Sequence, residues 1–207
     1  MITPHMDLQQ LFDKNLISNA LTYQAYLELT EQLVAEGKTS GPNQSAPYVH
    51  YTKLNLQRMK RLNKTVRIPD QLVKSMIKKA TPWTWITLTE PWCGDAAQCV
   101  PVIEKLAAAC PQIKSVYLLR DEHPNIMEAY LTNGGRSIPK LICVDENFDE
   151  VFTWGPRPKR IQQVMNGLKQ SGITEIATIV EAIQKAYNAD QQASMYAEFE
   201  NLLNEIN

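Results

Sequence analysis

The sequence predicts an α/β protein: a mixed four-stranded sheet flanked by helices, with an N-terminal helical extension and a C-terminal helical tail. Three observations predict it. Four short β-branched or aromatic runs, 83–90, 115–121, 138–145 and 150–154, alternate with helical patterns at 94–109, 124–132 and 157–170, giving the order βαβαββα. The last two strands are joined by a tight turn at Glu146-Asn147, so a hairpin closes an otherwise alternating series. On either side of this block the apolar spacing is helical throughout.

The elements follow in order. Residues 6–36 read as helix, with Leu21, Tyr26, Leu27, Leu29, Leu33 and Val34 in helical spacing and Gly37 ending it. Residues 37–47, rich in Gly, Ser and Pro, form a loop. Helices are expected over 50–65 and 70–80, the latter entered at Pro69-Asp70. In WTWITLTE (83–90), Trp83 and Trp85 alternate with Thr84 and Ile86, so both rings point to one face, toward a covering helix. The tail, 173–206, is one long helix or two, with one apolar stripe of Ile176, Ile179, Val180, Ile183 and Tyr187 and another of Met195, Phe199, Leu202 and Ile206. The predicted organisation is an N-terminal helical extension over 1–81, a central α/β domain over 82–170 and a tail over 171–207 packed on the rest.

Composition narrows the class. The 207 residues are 44% hydrophobic and carry a net charge of −1, an ordinary globular balance. No apolar run reaches membrane-spanning length, and MITPHMDLQQLFDKNL lacks the basic start and apolar core of a signal peptide, so a cytoplasmic protein without a membrane partner is expected. Residues 37–80 hold ten Lys or Arg and one acid, whereas 171–207 hold six acids and one Lys. The basic segment lacks interleaved aromatics, so it reads as a solvated face or as one facing the acidic tail, and no nucleic acid is expected. The three His and four Cys show no zinc spacing, so neither metal nor other cofactor is expected.

The chemistry concentrates in TEPWCGDAAQC, Thr89 to Cys99. Trp92-Cys93-Gly94 sits where the first strand turns into a helix, and Pro101 lies inside that helix, eight positions after Cys93. Ile138-Pro139 opens the third strand behind Gly134-Gly135, and Gly155 follows the fourth. With the βαβαββα order, these residues resemble the thioredoxin superfamily over residues 82–170. Within it, CGDAAQ, GGRSIPKL and WGPRP are similar to a bacterial group of thioredoxin-like proteins that carries CGDA in place of CGPC and has no assigned reaction. The resemblance implies a thiol–disulfide oxidoreductase using Cys93 alone, Pro139 in the role of the family's cis-proline, and Trp92, Gly94, Ile138 and Gly155 around the substrate groove. Its substrate would be a protein disulfide or a small thiol.

The residues themselves pull in both directions. Ala96 stands where the second cysteine of CGPC would be, and Thr87 where the family has a buried carboxylate. Cys99 is the remaining candidate for resolving a mixed disulfide, but six residues of helix rise about 9 Å, beyond the roughly 7 Å that a disulfide allows between Cα atoms, unless the first turns unwind. The helix N-terminus favours a thiolate at Cys93, and Asp95 in the first turn opposes it. Arg136 and Arg157 are expected to restore positive potential near the sulfur. Glu90, three residues before Cys93, replaces the Thr or Ser of a peroxiredoxin, and the CGFS of a monothiol glutaredoxin is absent. Cys110 and Cys143 read as packing residues, and His123 as a cap or surface residue. The alternative reading is a redox-silent thioredoxin-fold module that binds a protein through the same groove or the added helices. The tail's apolar stripe is compatible with packing on the sheet or with a homodimer.

Overall fold

The computed structural model describes residues 11–206, and these described residues form nine α-helices and one four-stranded sheet. The helices are α1 (Lys14–Asn19), α2 (Tyr23–Ala35), α3 (Ala46–Thr65), α4 (Asp70–Lys79), α5 (Gly94–Ala108), α6 (Pro124–Ala129), α7 (Lys159–Gln170), α8 (Ile176–Asp190) and α9 (Ala193–Glu205). The strands are β1 (Trp83–Thr89), β2 (Ile113–Leu119), β3 (Lys140–Val144) and β4 (Glu150–Trp154). Their order is β2-β1-β3-β4, with β1 parallel to β2 and antiparallel to β3, and β3 antiparallel to β4. The mixed sheet flanked by helices matches the fold class the sequence predicts.

Strand alternation divides the core. Trp83, Trp85, Leu141 and Cys143 face one side, packed with Leu72 and Met76 of α4, Ile183 and Tyr187 of α8 and Met195, Phe199 and Leu203 of α9. Ile86, Leu88, Ile142 and Val144 face the other, with Ile17, Tyr26, Met59, Ile126 and Met127. Helix α5 serves both: Cys93, Ala96, Ala97 and Val100 belong to the second cluster, and Cys99, Val102, Ile103 and Leu106 to the first. The Trp85 ring lies 6.0 Å from Phe152 and 5.5 Å from Phe199, so the Met195–Phe199 stripe of the tail packs on this chain's own sheet, while Ile176 at the start of the other stripe stays exposed. Cys110 and Cys143 are fully buried packing residues.

Several boundaries differ from the sequence expectation. The helix expected over 6–36 is two within the described residues. Asp13 caps α1 by accepting from Leu16 N–H at 2.6 Å, Thr22 caps α2 by accepting from Ala25 N–H, and between them Leu21 exchanges both backbone hydrogen bonds with Tyr117 of β2. Residues 6–10 of that expected helix lie outside the described residues. The strand expected at 115–121 is shifted to Ile113–Leu119 and ends in a 3₁₀ turn, Arg120–Glu122. The strand expected from 138 starts at Lys140, after Pro139, which has no N–H to give a ladder. The tail, expected as one long helix or two, is two, broken where Gln191 and Gln192 both adopt positive φ.

The basic segment meets the acidic tail through apolar packing of α4 on α9 and through single hydrogen bonds, among them Arg61 Nη2 donating to Asn188 Oδ1 at 3.1 Å. Lys79 Nζ donates to Ile206 O at 2.5 Å, and Tyr196 Oη donates to Arg67 O at 3.1 Å.

Candidate functional site around Cys93

Cys93 sits between the end of β1 and α5, as the N-cap of that helix. Its Sγ accepts from Ala96 N–H at 3.5 Å, and the thiol donates to Ile138 O at 3.3 Å. The Ile138–Pro139 peptide bond is cis. The third strand is thus delivered against the sulfur through a backbone carbonyl.

Gly155 secures that approach from behind. It has φ +115°, and a Cβ there would lie 2.2 Å from Pro139 O, so only glycine lets the end of β4 lie against the Pro139 segment. Trp92 is half-buried. Its ring lies 5.0 Å from Tyr48 of α3, with the Arg120 guanidinium 4.7 Å from its centroid.

Cys93 is only 9% exposed. Burial, and after it the Asp95 carboxylate, push its thiol up to about 12; the Ala96 and Asp95 N–H groups and Arg157 pull the other way without prevailing. The contest between helix terminus and Asp95 that the sequence leaves open is therefore decided by desolvation, and the thiol is protonated at neutral pH.

The remaining predicted residues divide. Arg157 and Asp95 are brought together: Arg157 Nη2 donates to Asp95 Oδ2 at 2.5 Å, both side chains being nearly buried. Tyr187 of α8 donates to Asp95 Oδ1 at 2.8 Å, and its hydroxyl lies 3.5 Å from Cys99 Sγ. Asp95 does not spend its carboxylate on the helix N–H groups, because these two partners hold it. Burial still pushes its pKa up, against the pull of Arg157 and then Tyr187. Arg136 is not brought to the sulfur. It is exposed and pairs with Glu128, donating from Nε at 2.6 Å, because Glu128 on α6 is a nearer counter-charge than anything around Cys93. Cys99 is buried on the α8 side of α5, its thiol pushed well up by burial, and all four cysteines are free.

Several residues of the site carry no local sequence signal. Gln184 of α8 accepts from Gln98 Nε2 at 2.8 Å and reaches Gly94 O at 3.4 Å. Asn55 of α3, fully buried, donates to Pro91 O at 2.8 Å and accepts from Arg58 Nη1 at 2.7 Å. Glu90 is fully buried, accepts from Ser40 Oγ and from Asp121 N–H (2.9 Å), and has its pKa raised by burial against those two bonds. Glu90, directly after β1, is the one of these residues whose position at a strand end is visible in the sequence. The helices outside 82–170 thus supply part of the wall around Cys93.

Among the described residues no group of three His, Cys, Asp or Glu is placed to hold a metal, and no helix is long and apolar enough to cross a membrane.

A sheet of order β2-β1-β3-β4, with a cysteine capping the helix after its first strand and a proline at the entry to β3, defines a thioredoxin-like protein. The chain belongs to the thioredoxin family: a family model described as Thioredoxin matches residues 41–176. Two solved structures are similar in fold. One is an HIV epitope-scaffold, 13% identical, with TM-score 0.53 over 84% of this chain and 94% of that one. The other is a protein of unknown function from Pseudomonas aeruginosa, 13% identical, with TM-score 0.50 over 89% of this chain and 98% of that one. At 13% identity the likeness is one of fold alone.

Proposed function

We propose that this thioredoxin-family protein exchanges disulfides through one thiol, Cys93, and that it belongs with the bacterial CGDA-bearing group, working in the cytoplasm. The observation that carries the reading is the placement of Sγ at the N-cap of α5, hydrogen-bonded to Ile138 O beside Pro139. In the reaction, Cys93 releases its proton to solvent and its thiolate attacks one sulfur of a substrate disulfide. A Cys93–substrate S–S bond forms and the substrate S–S bond breaks. The departing sulfur leaves as a thiolate and takes up a proton. A second thiol, small or protein-borne, then attacks the mixed disulfide and releases Cys93, so no electrons are gained or lost overall. Because the resting thiol is protonated, exchange is slow until the pH rises or a docked substrate alters the site.

The test is exchange with a model disulfide, read as mixed disulfide on each cysteine by mass spectrometry. Cys93→Ser abolishes the adduct, and Cys99→Ser leaves it intact. Undiminished exchange in Cys93→Ser refutes the reading.

A redox-silent binding module is the second reading. It is favoured by the thiol pushed up to about 12 and by Ala96 at the resolving position. It predicts no adduct at Cys93 at any pH below about 9, where such a thiol stays protonated.

A further inference from the structure

Helix α3 runs alongside the segment Pro91–Gly94 and touches it at three places. Tyr48 packs on Trp92, Asn55 donates to Pro91 O, and Arg58 stands against Gly94, its Nη1 lying 3.9 Å from where a Cβ on that glycine would be. Arg58 is held in place, since its Nη1 donates to Asn55 Oδ1 and Asn55 is itself fully buried and anchored.

The arginines beside the site, Arg157 and Arg120, are matched by the carboxylates of Asp95 and Asp121, as the more distant Arg136 is by Glu128. Among the described residues no carboxylate pairs with Arg58. The groups that act on its charge are instead Tyr51 and, against it, Arg61, a like charge one turn away, and among the described residues Asn55 is its hydrogen-bond partner. A half-buried cation without a counter-charge costs stability that a paired one does not. The surface beside it, Trp92 and Gly94, is partly open.

We propose that α3 is the specificity wall of the Cys93 site and that Arg58 selects disulfides bearing a carboxylate beside the sulfur that Cys93 attacks. This rests on the reading of Cys93 as the exchanging thiol. The carboxylate supplies the counter-charge that the chain withholds, and the half-buried setting makes the pairing stronger than it would be in open solvent.

The experiment compares three small disulfides: dithiobis(nitrobenzoate), with a carboxylate on each half; uncharged dithiodipyridine; and dicationic cystamine. Rates of adduct formation at Cys93 are measured by mass spectrometry for the natural protein, Arg58→Gln, Arg58→Lys and Arg67→Gln. Taking ratios between probes within one protein, and comparing those ratios across proteins, cancels the probes' intrinsic reactivity. Arg58→Gln is expected to lower the anionic-to-uncharged ratio about five- to tenfold and to raise the cystamine ratio, with both changes shrinking at 1 M salt, where screening is within ~3 Å. Arg58→Lys keeps most of the preference. Arg67→Gln, which removes a guanidinium bonded to the carbonyls of Lys64 and Val66, leaves it unchanged. Glu-Cys-Glu and Gln-Cys-Gln peptide disulfides, run alongside, tell a peptide-borne carboxylate from a free one; a preference for the acidic member of either set that Arg58→Gln removes supports the proposal. Ratios unaffected by Arg58→Gln in both sets overturn it.

If Cys93 reacts with no probe, the exchange reading fails, and the wall is decided by calorimetry on Cys93→Ser. The ligand is then the S-methyl thioether of thionitrobenzoate, which cannot exchange. Binding weakened fivefold or more by Arg58→Gln upholds the anionic preference, and equal or undetectable binding overturns it.

Discussion

Replacing Gly155 by Ala tests the geometry that brings β3 to Cys93. The added Cβ would lie 2.2 Å from Pro139 O, whereas ordinary contact begins at 3.4 Å, so the end of β4 and the Pro139 segment must part by more than 1 Å. The obstacle is backbone, which cannot rotate away as a side-chain tip would. The φ of +115° adds strain for any residue with a Cβ. Overpacking of this kind costs about 1–3 kcal/mol and the backbone strain about as much again, so a loss of about 3–5 kcal/mol is expected. In urea, with a slope of about 2–3 kcal/mol per molar for a chain of this size, the unfolding midpoint falls by about 1–2 M. Gly167→Ala is the control. It lies inside α7 with nothing within 4 Å of its Cβ position, and the same change there stabilises by about 0.5–1 kcal/mol. Because Ile138 O accepts the Cys93 thiol, displacing this segment also loosens the sulfur, and alkylation of Cys93 in the Gly155→Ala protein speeds up. A loss below about 1 kcal/mol, with alkylation unchanged, would show that Gly155 does not lie against Pro139 as described.

Other expected outcomes concern the buried polar groups. Cys93 has its folded-state pKa raised from 9.0 to about 12, so the stability tied to its protonated form is complete below pH 9 and is lost as the pH climbs through that window. The stability difference between Cys93→Ser and the natural protein therefore shifts in the variant's favour from pH 8 to pH 11, by at most about 3 kcal/mol, measured by urea unfolding at each pH. Arg157→Ala leaves Asp95 buried without its counter-charge and costs about 3–5 kcal/mol; Arg157→Ala with Asp95→Asn recovers much of it in a double-mutant cycle, and independent, additive losses would refute the pairing. Tyr187→Phe removes one hydrogen bond to that carboxylate and costs about 1.5–3 kcal/mol in the same assay. Glu90 has its pKa raised by burial, so its ionisation costs stability as the pH rises; Glu90→Gln is expected to be more stable than the natural protein at pH 8 and to lose that advantage at pH 4, and a constant difference across that range would sink the assignment.

The sequence by itself determined the layered architecture and the position of the cysteine. Period-two runs such as Trp83–Ile86 and helical spacing such as Ala96, Val100 and Ile103 are local patterns, and a strand or helix expresses them whatever it later meets. The placement of Cys93 at a helix start, Pro139 ahead of a strand and Pro101 inside a helix was legible for the same reason. What no local pattern holds is which distant side chain arrives. Asp95 meets Arg157 from 62 residues further on and Tyr187 from 92, while Arg136, which sequence reasoning aimed at the sulfur, is held by Glu128 only eight positions away. The break at Leu21 came from pairing with Tyr117, a partner invisible to helical periodicity. The state of Cys93 belongs to the same class: the pull of a helix terminus is local, but the desolvation that outweighs it is imposed by how many elements close over the sulfur, and only the tertiary structure decides that.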